Sequence, residues 1–208
     1  MLQARRSTVA GDDLWLVVGL GNPGPEYAGN RHNVGQMVLD ELASRLSASF
    51  SSGAGRVNAR VATGRATPGG PRFVLAKPNS YMNNSGGPVA ALLSYYDASP
   101  SHLIVVHDEL DIPFDTLRLK FGGGHGGHNG IRDIAAATGT SDFARVRVGI
   151  GRPPGRQSAA DFVLRDFTPT ERAALPNLLA DAADAVELIA TDGLTAAQQR
   201  FHAPPPSA

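Results

Sequence analysis

Hydrophobic and polar positions along the 208-residue chain change period several times, and each change predicts an element. Residues 14–18 form an unbroken apolar run, the pattern of a strand buried on both faces. From Asn33 the spacing turns helical, with Val34, Met37/Val38, Leu42 and Leu46 on one stripe that fades near Ser47. Residues 56–63 and 72–77 read as strands, and the turn Pro68-Gly69-Gly70-Pro71 between them makes a hairpin. Asn83 or Ser85 can cap a helix over 86–95, with Pro88 in its first turn. Residues 102–106 are apolar again and end in His107-Asp108-Glu109-Leu110-Asp111. Residues 116–121 alternate, Leu117 and Leu119 against Arg118 and Lys120; residues 143–150 do the same, Val146 and Val148 against Arg145 and Arg147. A helix is predicted between them over 129–138. Thr168-Pro169-Thr170-Glu171 is a capping box opening another helix, in which Pro176 predicts a kink or restart before the stripe Leu179, Ala182, Val186, Ile189. A last short helix is expected over 195–201.

Strands alternating with helices predict an α/β fold: a single domain with a twisted, mixed, mostly parallel central sheet flanked by helices, antiparallel where the hairpin pairs. That domain is expected over 14–203, with residues 1–13 and the tail 204–208, which contains Pro204-Pro205-Pro206, disordered. In such sheets ligands gather beyond the carboxyl ends of the strands. Three segments fall there: residues 22–32, 79–84 and 107–111.

Composition narrows the chemistry. The longest apolar run, 14–20, is too short to span a membrane, and Arg5-Arg6 is not followed by a signal-peptide core, so a cytoplasmic location is expected. The chain has no cysteine, which excludes disulfides, thiolate catalysis and cysteine-ligated zinc and leaves much of the interest to six histidines. Net charge is zero, unlike a wholly basic, nonspecific nucleic-acid binder. Yet residues 113–156 hold seven Lys and Arg against three Asp and Glu, and residues 157–208 hold three against seven. The first stretch can form a local basic stripe that contacts phosphates.

Gly19, Gly21 and Gly24 imitate the G-x-G-x-x-G dinucleotide fingerprint. Pro23 and Pro25 lack the N–H donors a pyrophosphate needs at a helix start, and the only acids about 20 residues on, Asp40 and Glu41, lie inside a helical pattern. What remains is a rigid turn presenting Asn22, followed by Asn30-Arg31-His32-Asn33. His32 is the best base candidate, with a pKa near working pH. Asp108 or Asp111 can accept its other ring N–H. With no G-x-S-x-G elbow and no cysteine, the nucleophile is water, and Asn22, Asn83 and Asn129 are amides able to position it or stabilise an oxyanion. The glycine-rich run 122–130 opens a helix and can cradle a phosphate or a peptide carbonyl. A metal reading would combine His125 and His128 with His107 or Asp108, although those histidines flank glycines and no HExxH occurs.

The segments VVGLGNPGPEYAGNRHNVG, KPNSYMNNSG, VVHDELDIP, LKFGGGHGGHNGIRDI, FARVRVGIGRPPG and DGLTAAQQRFHA together resemble bacterial-type peptidyl-tRNA hydrolase, from about Leu14 to Ala203. The resemblance implies a monomeric, metal-independent enzyme without a cofactor. It would cleave the ester between peptide and tRNA 3′-terminal ribose and so recycle tRNA. It implies His32 as general base, Asp108 as its orienting partner and Asn22, Asn83 and Asn129 as substrate-positioning amides. Tyr27, Met82 and His128 would line the site, and Lys120 and Arg147 would clamp phosphate at the acceptor-stem end. Both cations are expected to project to solvent. Residues 1–13 extend beyond the family's common start, and Asn84 and His125 receive no role. Two rival readings remain at this level: a noncatalytic RNA-binding relative, and a hydrolase acting on another ester or amide without need of Lys120 and Arg147.

Overall fold

The computed structural model describes residues 13–53 and 57–202. The segments expected to be disordered lie outside the described residues except for Asp13, whose carbonyl accepts the Arg72 N–H at 2.8 Å. In chain order the elements are β1 (Leu14–Gly19), α1 (Val34–Arg45), β2 (Ser51–Ser52), β3 (Ala59–Arg65), β4 (Arg72–Pro78), α2 (Gly86–Tyr96), β5 (Leu103–Glu109) and β6 (Leu117–Phe121). There follow α3 (Asn129–Thr138), β7 (Ala144–Gly149), α4 (Ala159–Val163), α5 (Pro169–Asp192) and α6 (Leu194–Phe201).

The strands form one seven-stranded sheet in the order β2-β3-β4-β1-β5-β7-β6. The expected mixed sheet is present. Its parallel pairings, β4–β1, β1–β5 and β5–β7, fill the centre, and three antiparallel pairings at the two edges make the mixture even. Alternation sends Val17, Leu75, Ile104, Val106 and Val146 to one face, against Val38 and Leu42 of α1 and Ala182 and Val186 of α5. Leu16, Val18, Val74 and Val105 face the other way, onto Val89 and Leu92 of α2 and Ile131 and Ile134 of α3. Both faces of the central strands are therefore dry, which explains their uninterrupted apolar runs. At the β6 edge, Gln198 donates to the Leu119 carbonyl at 3.0 Å and His202 accepts the Leu119 N–H at 2.8 Å, so α6 covers a pairing edge that would otherwise stand open.

Two local expectations need correction. α5 runs unbroken through Pro176 for 24 residues. Pro176 and Arg172, whose carbonyl loses its helical donor, are both exposed, so water can satisfy that carbonyl. β2 and the five-residue α4 were not anticipated, since neither is long enough to show a period; α4 is started by Ser158, whose hydroxyl accepts the Asp161 N–H.

The false dinucleotide fingerprint has a packing explanation. A Cβ on Gly19 would stand 2.4 Å from the Gly35 carbonyl oxygen, and one on Gly35 would stand 2.2 Å from that of Val106. These glycines let the start of α1 press directly onto β1 and β5, bringing the residues just before α1 over the carboxyl ends of both strands. Gly24 adopts φ +113°, which the Asn22-Pro23-Gly24-Pro25 turn requires. Among the described residues, no helix is long and apolar enough to cross a membrane.

Candidate active site

The three segments that follow β1, β4 and β5 converge on one cleft of about 660 Å³. Asn22, Tyr27, His32, Met82, Asn83, Asp108, His128 and Asn129, all expected site residues, line it. Ala159, Ala160, Val163 and Leu164 of α4 and the turn after it supply an apolar wall. Tyr27 and Tyr81 meet edge to face at 6.2 Å, with Tyr81 largely exposed. Lys120 and Arg147 are not part of the lining.

His32 sits in a 3₁₀ turn, Arg31–Asn33, at the entry to α1, and its Nδ1 lies 2.9 Å from Asp108 Oδ1. Asp108 is buried near the end of β5, and the same oxygen lies 2.9 Å from His128 Nε2. The tautomers follow from the partners. His128 Nδ1 accepts the Ile131 N–H at 3.4 Å as the N-cap of α3, so its proton rides on Nε2 and is donated to Asp108. His32 likewise donates Nδ1–H to the carboxylate, which leaves its Nε2 lone pair unengaged among the described residues. Burial works to lower the His32 pKa, but the charge of Asp108 and the hydrogen bond to it prevail and raise it above the ordinary histidine value. Burial alone would raise the Asp108 pKa; the two histidines hold it far below the usual carboxylate range.

The choice between Asp108 and Asp111 is thereby decided, since Asp111 lies at the surface, paired with Arg152 at 2.5 Å. The metal grouping of His107, His125 and His128 does not assemble. His107 is buried, with Nδ1 2.7 Å from the Asp108 main-chain carbonyl oxygen, and burial pushes its pKa well down, so the ring is neutral. His125 is exposed and accepts the Gly127 N–H. The ligand atoms that do converge among the described residues are those of His32, Asp108 and His128.

Asn22 is clamped on both sides. Its backbone N–H donates to Asn33 Oδ1 and its carbonyl accepts from Asn33 Nδ2, both at 2.9 Å, while its own Oδ1 accepts the Met82 N–H at 2.8 Å. With Oδ1 committed, the donor Nδ2 is what Asn22 offers the cleft. Asn33 was legible only as part of a polar cluster; its place as the amide that fixes Asn22 needed the structure. Asn83, on the 3₁₀ turn Met82–Asn84, and Asn129, first residue of α3, are exposed to the cleft from two other sides.

Arg31 was also missed in its role. It is buried, donates to the carbonyls of Arg165 and Asp166 at 3.2 and 2.8 Å, pairs with Glu171 at 2.6 Å and lies 4.2 Å from the Phe162 ring centre. It thus ties the His32 turn to α4, the cleft wall, and to α5.

The basic stretch differs from expectation. Register places Arg118 opposite Arg147 and Lys120 opposite Arg145, so four cations share one face of β6–β7. Arg145 is buried and donates to the carbonyls of Gly122, Gly123 and Gly124. The first three glycines of the loop therefore turn their carbonyls onto a guanidinium, while Gly126 and Gly127 line the cleft. Arg147 does not project freely: it is half-buried, with Nε and Nη2 both on Glu109 Oε2 at 3.0 and 2.9 Å, because Glu109 at the end of β5 reaches across to β7. Lys120 is half-buried and has no carboxylate partner among the described residues.

The family model described as peptidyl-tRNA hydrolase matches residues 16–207. The chain is 71% identical to a peptidyl-tRNA hydrolase of Leifsonia xyli subsp. xyli over 191 residues, covering 92% of this chain and 98% of that protein. It is 64% identical to one of Pseudarthrobacter chlorophenolicus, covering 91% and 96%. The crystal structure of peptidyl-tRNA hydrolase from Acinetobacter baumannii superposes with a TM-score of 0.85 at 33% identity, covering 96% of this chain and all of that one.

Proposed function

Because this chain belongs to the peptidyl-tRNA hydrolase family, we propose that it hydrolyses the ester between peptide and tRNA 3′-terminal ribose with a water activated by His32. His32 Nε2 takes a proton from the water as the oxygen attacks the ester carbonyl. The imidazolium so formed is stabilised by Asp108, and the same proton passes to the ribose oxygen as the carbon–oxygen bond breaks. Asn22 Nδ2 donates to the oxygen that gains charge in the tetrahedral intermediate, while Asn83 and Asn129 hold the peptide. Tyr27, Met82 and His128 shape the cleft around it. The observation that carries this reading is the 2.9 Å contact between His32 Nδ1 and Asp108 Oδ1, which favours, in the neutral ring, the tautomer with its proton on Nδ1 and its lone pair on Nε2. The protein is proposed to work as a cytoplasmic monomer. Release of peptide from peptidyl-tRNA with aminoacyl-tRNA left intact is the decisive assay; hydrolysis of neither, or of small esters alone, would favour a rival reading.

Lys120 and Arg147 are proposed to hold acceptor-stem phosphate, at unequal strength. Lys120→Ala is expected to weaken binding of a noncleavable peptidyl-tRNA analogue and make its salt slope shallower by roughly one unit, with little change in turnover. Arg147→Ala should change the slope less, because Glu109 already neutralises that guanidinium in the free protein. Unchanged slopes in both variants would remove the clamp.

Exhaustive chelation is expected to leave turnover undiminished, since a protein base and its carboxylate activate the water directly. Activity lost to chelator and restored by magnesium or zinc would overturn that mechanism.

A further inference from the structure

We propose that the His32–Asp108–His128 cluster is an inhibitory site for a borderline divalent cation, Zn²⁺ being the best match, which silences the base by switching its tautomer. The inhibitory half of this rests on His32 as the base; the binding half rests on geometry alone.

His32, Asp108 and His128 each bring a ligand atom within 4.8 Å of the other two, and His32 Nδ1 and His128 Nε2 are each already 2.9 Å from Asp108 Oδ1. Zinc bonds to imidazole nitrogen and carboxylate oxygen at about 2.0–2.2 Å, so one ion reaches all three atoms after shifts of roughly half an ångström to an ångström. All three side chains line the cleft, which gives an entry path and leaves the fourth position to water. The donor set of two imidazoles and one carboxylate suits zinc better than magnesium, which favours oxygen.

The proton bookkeeping explains why such an ion would inhibit. Both ring protons now point at Asp108 Oδ1, from the atoms that would bind the ion. To ligate through Nδ1, a neutral His32 must carry its proton on Nε2, the atom that has to accept a proton from water. No proton leaves the ring; it changes nitrogen through solvent, and the base is lost. His128 must shift its proton to Nδ1 in the same way and gives up the Ile131 N–H, a long bond at 3.4 Å. The site thus opposes the ion only weakly on that side.

The test uses the full chain and measures binding separately from activity. Zinc affinity is read by competition with a chromophoric chelator, and Co²⁺ is read by its visible absorption, which reports nitrogen and oxygen ligation. His128→Asn keeps a side chain able to cap α3 while removing the imidazole, and is expected to weaken zinc binding by roughly tenfold or more. His125→Ala, at an exposed histidine outside the cluster, should bind zinc as the parent does. Parent turnover should fall in step with occupancy and return on chelation. Equal zinc affinity in the parent and His128→Asn would overturn the site. Zinc bound at the cluster with turnover intact or raised would overturn the inhibition. Failure of the His32 reading shows elsewhere, as turnover surviving His32→Ala.

Discussion

Turnover is expected to fall by about 10²–10⁴-fold in His32→Ala, with affinity for the noncleavable peptidyl-tRNA analogue close to that of the parent. The loss corresponds to roughly 3–5 kcal/mol in the chemical step. It falls on chemistry because His32 offers the cleft one unengaged nitrogen, held in its tautomer by Asp108. Single-turnover rates and binding, measured on protein whose circular dichroism matches the parent, separate the two effects. Near-normal hydrolysis by such protein would reject His32 as the base.

The acid limb of the pH–rate profile carries a second signature of the same pair. A base works only when unprotonated, and Asp108 raises the His32 pKa, so activity should be lost as pH falls through a value above the ordinary 6.5. Asp108→Asn removes the charge that raises it, so the limb should move to lower pH. The plateau should drop as well, because the imidazolium formed during attack loses its counter-charge. A limb that stays in place would mean that Asp108 does not set the state of His32.

Much of this site could be read from the chain because its residues sit where local pattern changes. The apolar run of β1 stops at a turn of prolines and glycines, and the helical stripe begins at Val34, so the residues between them had to lie at a strand end. The same held for 79–84 and 107–111, and the cleft joins all three. Pairwise partners were not legible. Asp108 and Asp111 are close in sequence and equally acidic, and what separates them is that one ends a buried strand beside two rings while the other turns out to Arg152. The alternation in β7 marked Arg145 and Arg147 as facing one way. It could not show that Arg145 would be buried under three glycine carbonyls, or that Glu109 from the neighbouring strand would reach Arg147. The capping box at Thr168 was plain in sequence, whereas its second partner lies 140 residues away.

That partner leads to the largest stability effect expected here: Arg31→Ala should destabilise the folded protein by at most about 3–5 kcal/mol, the range for removing one side of a fully buried ion pair, since Arg31 is buried and Glu171 only partly so. Small domains are stable by only about 5–15 kcal/mol, so the variant should unfold at much lower denaturant. Truncation strands several groups together: Glu171 Oε2 loses its guanidinium, the Asp166 carbonyl loses its Arg31 donor, and the Arg165 carbonyl keeps only the Arg31 backbone N–H. Phe162 and Phe167 also lose the cation stacked between them. Asn30, bonded to Asp166 at 2.7 Å, and the Arg31 backbone N–H, donated to the Arg165 carbonyl at 3.0 Å, then hold the His32 turn to the segment after α4. Glu171→Gln separates the ion pair from the helix cap. Glutamine can still accept the Thr168 N–H as the third residue of the box, so α5 keeps its start while the charge on Arg31 loses its partner. Its expected cost is smaller, because the Arg31 guanidinium keeps both backbone carbonyls and the Phe162 ring. Equilibrium unfolding of parent, Arg31→Ala and Glu171→Gln in urea gives the three values. If Arg31→Ala lost no more than an ordinary surface substitution, about 0.5 kcal/mol, the brace between the His32 turn and the cleft wall would have to come from the Asn30–Asp166 bond, the Arg31 backbone N–H on the Arg165 carbonyl and apolar packing instead.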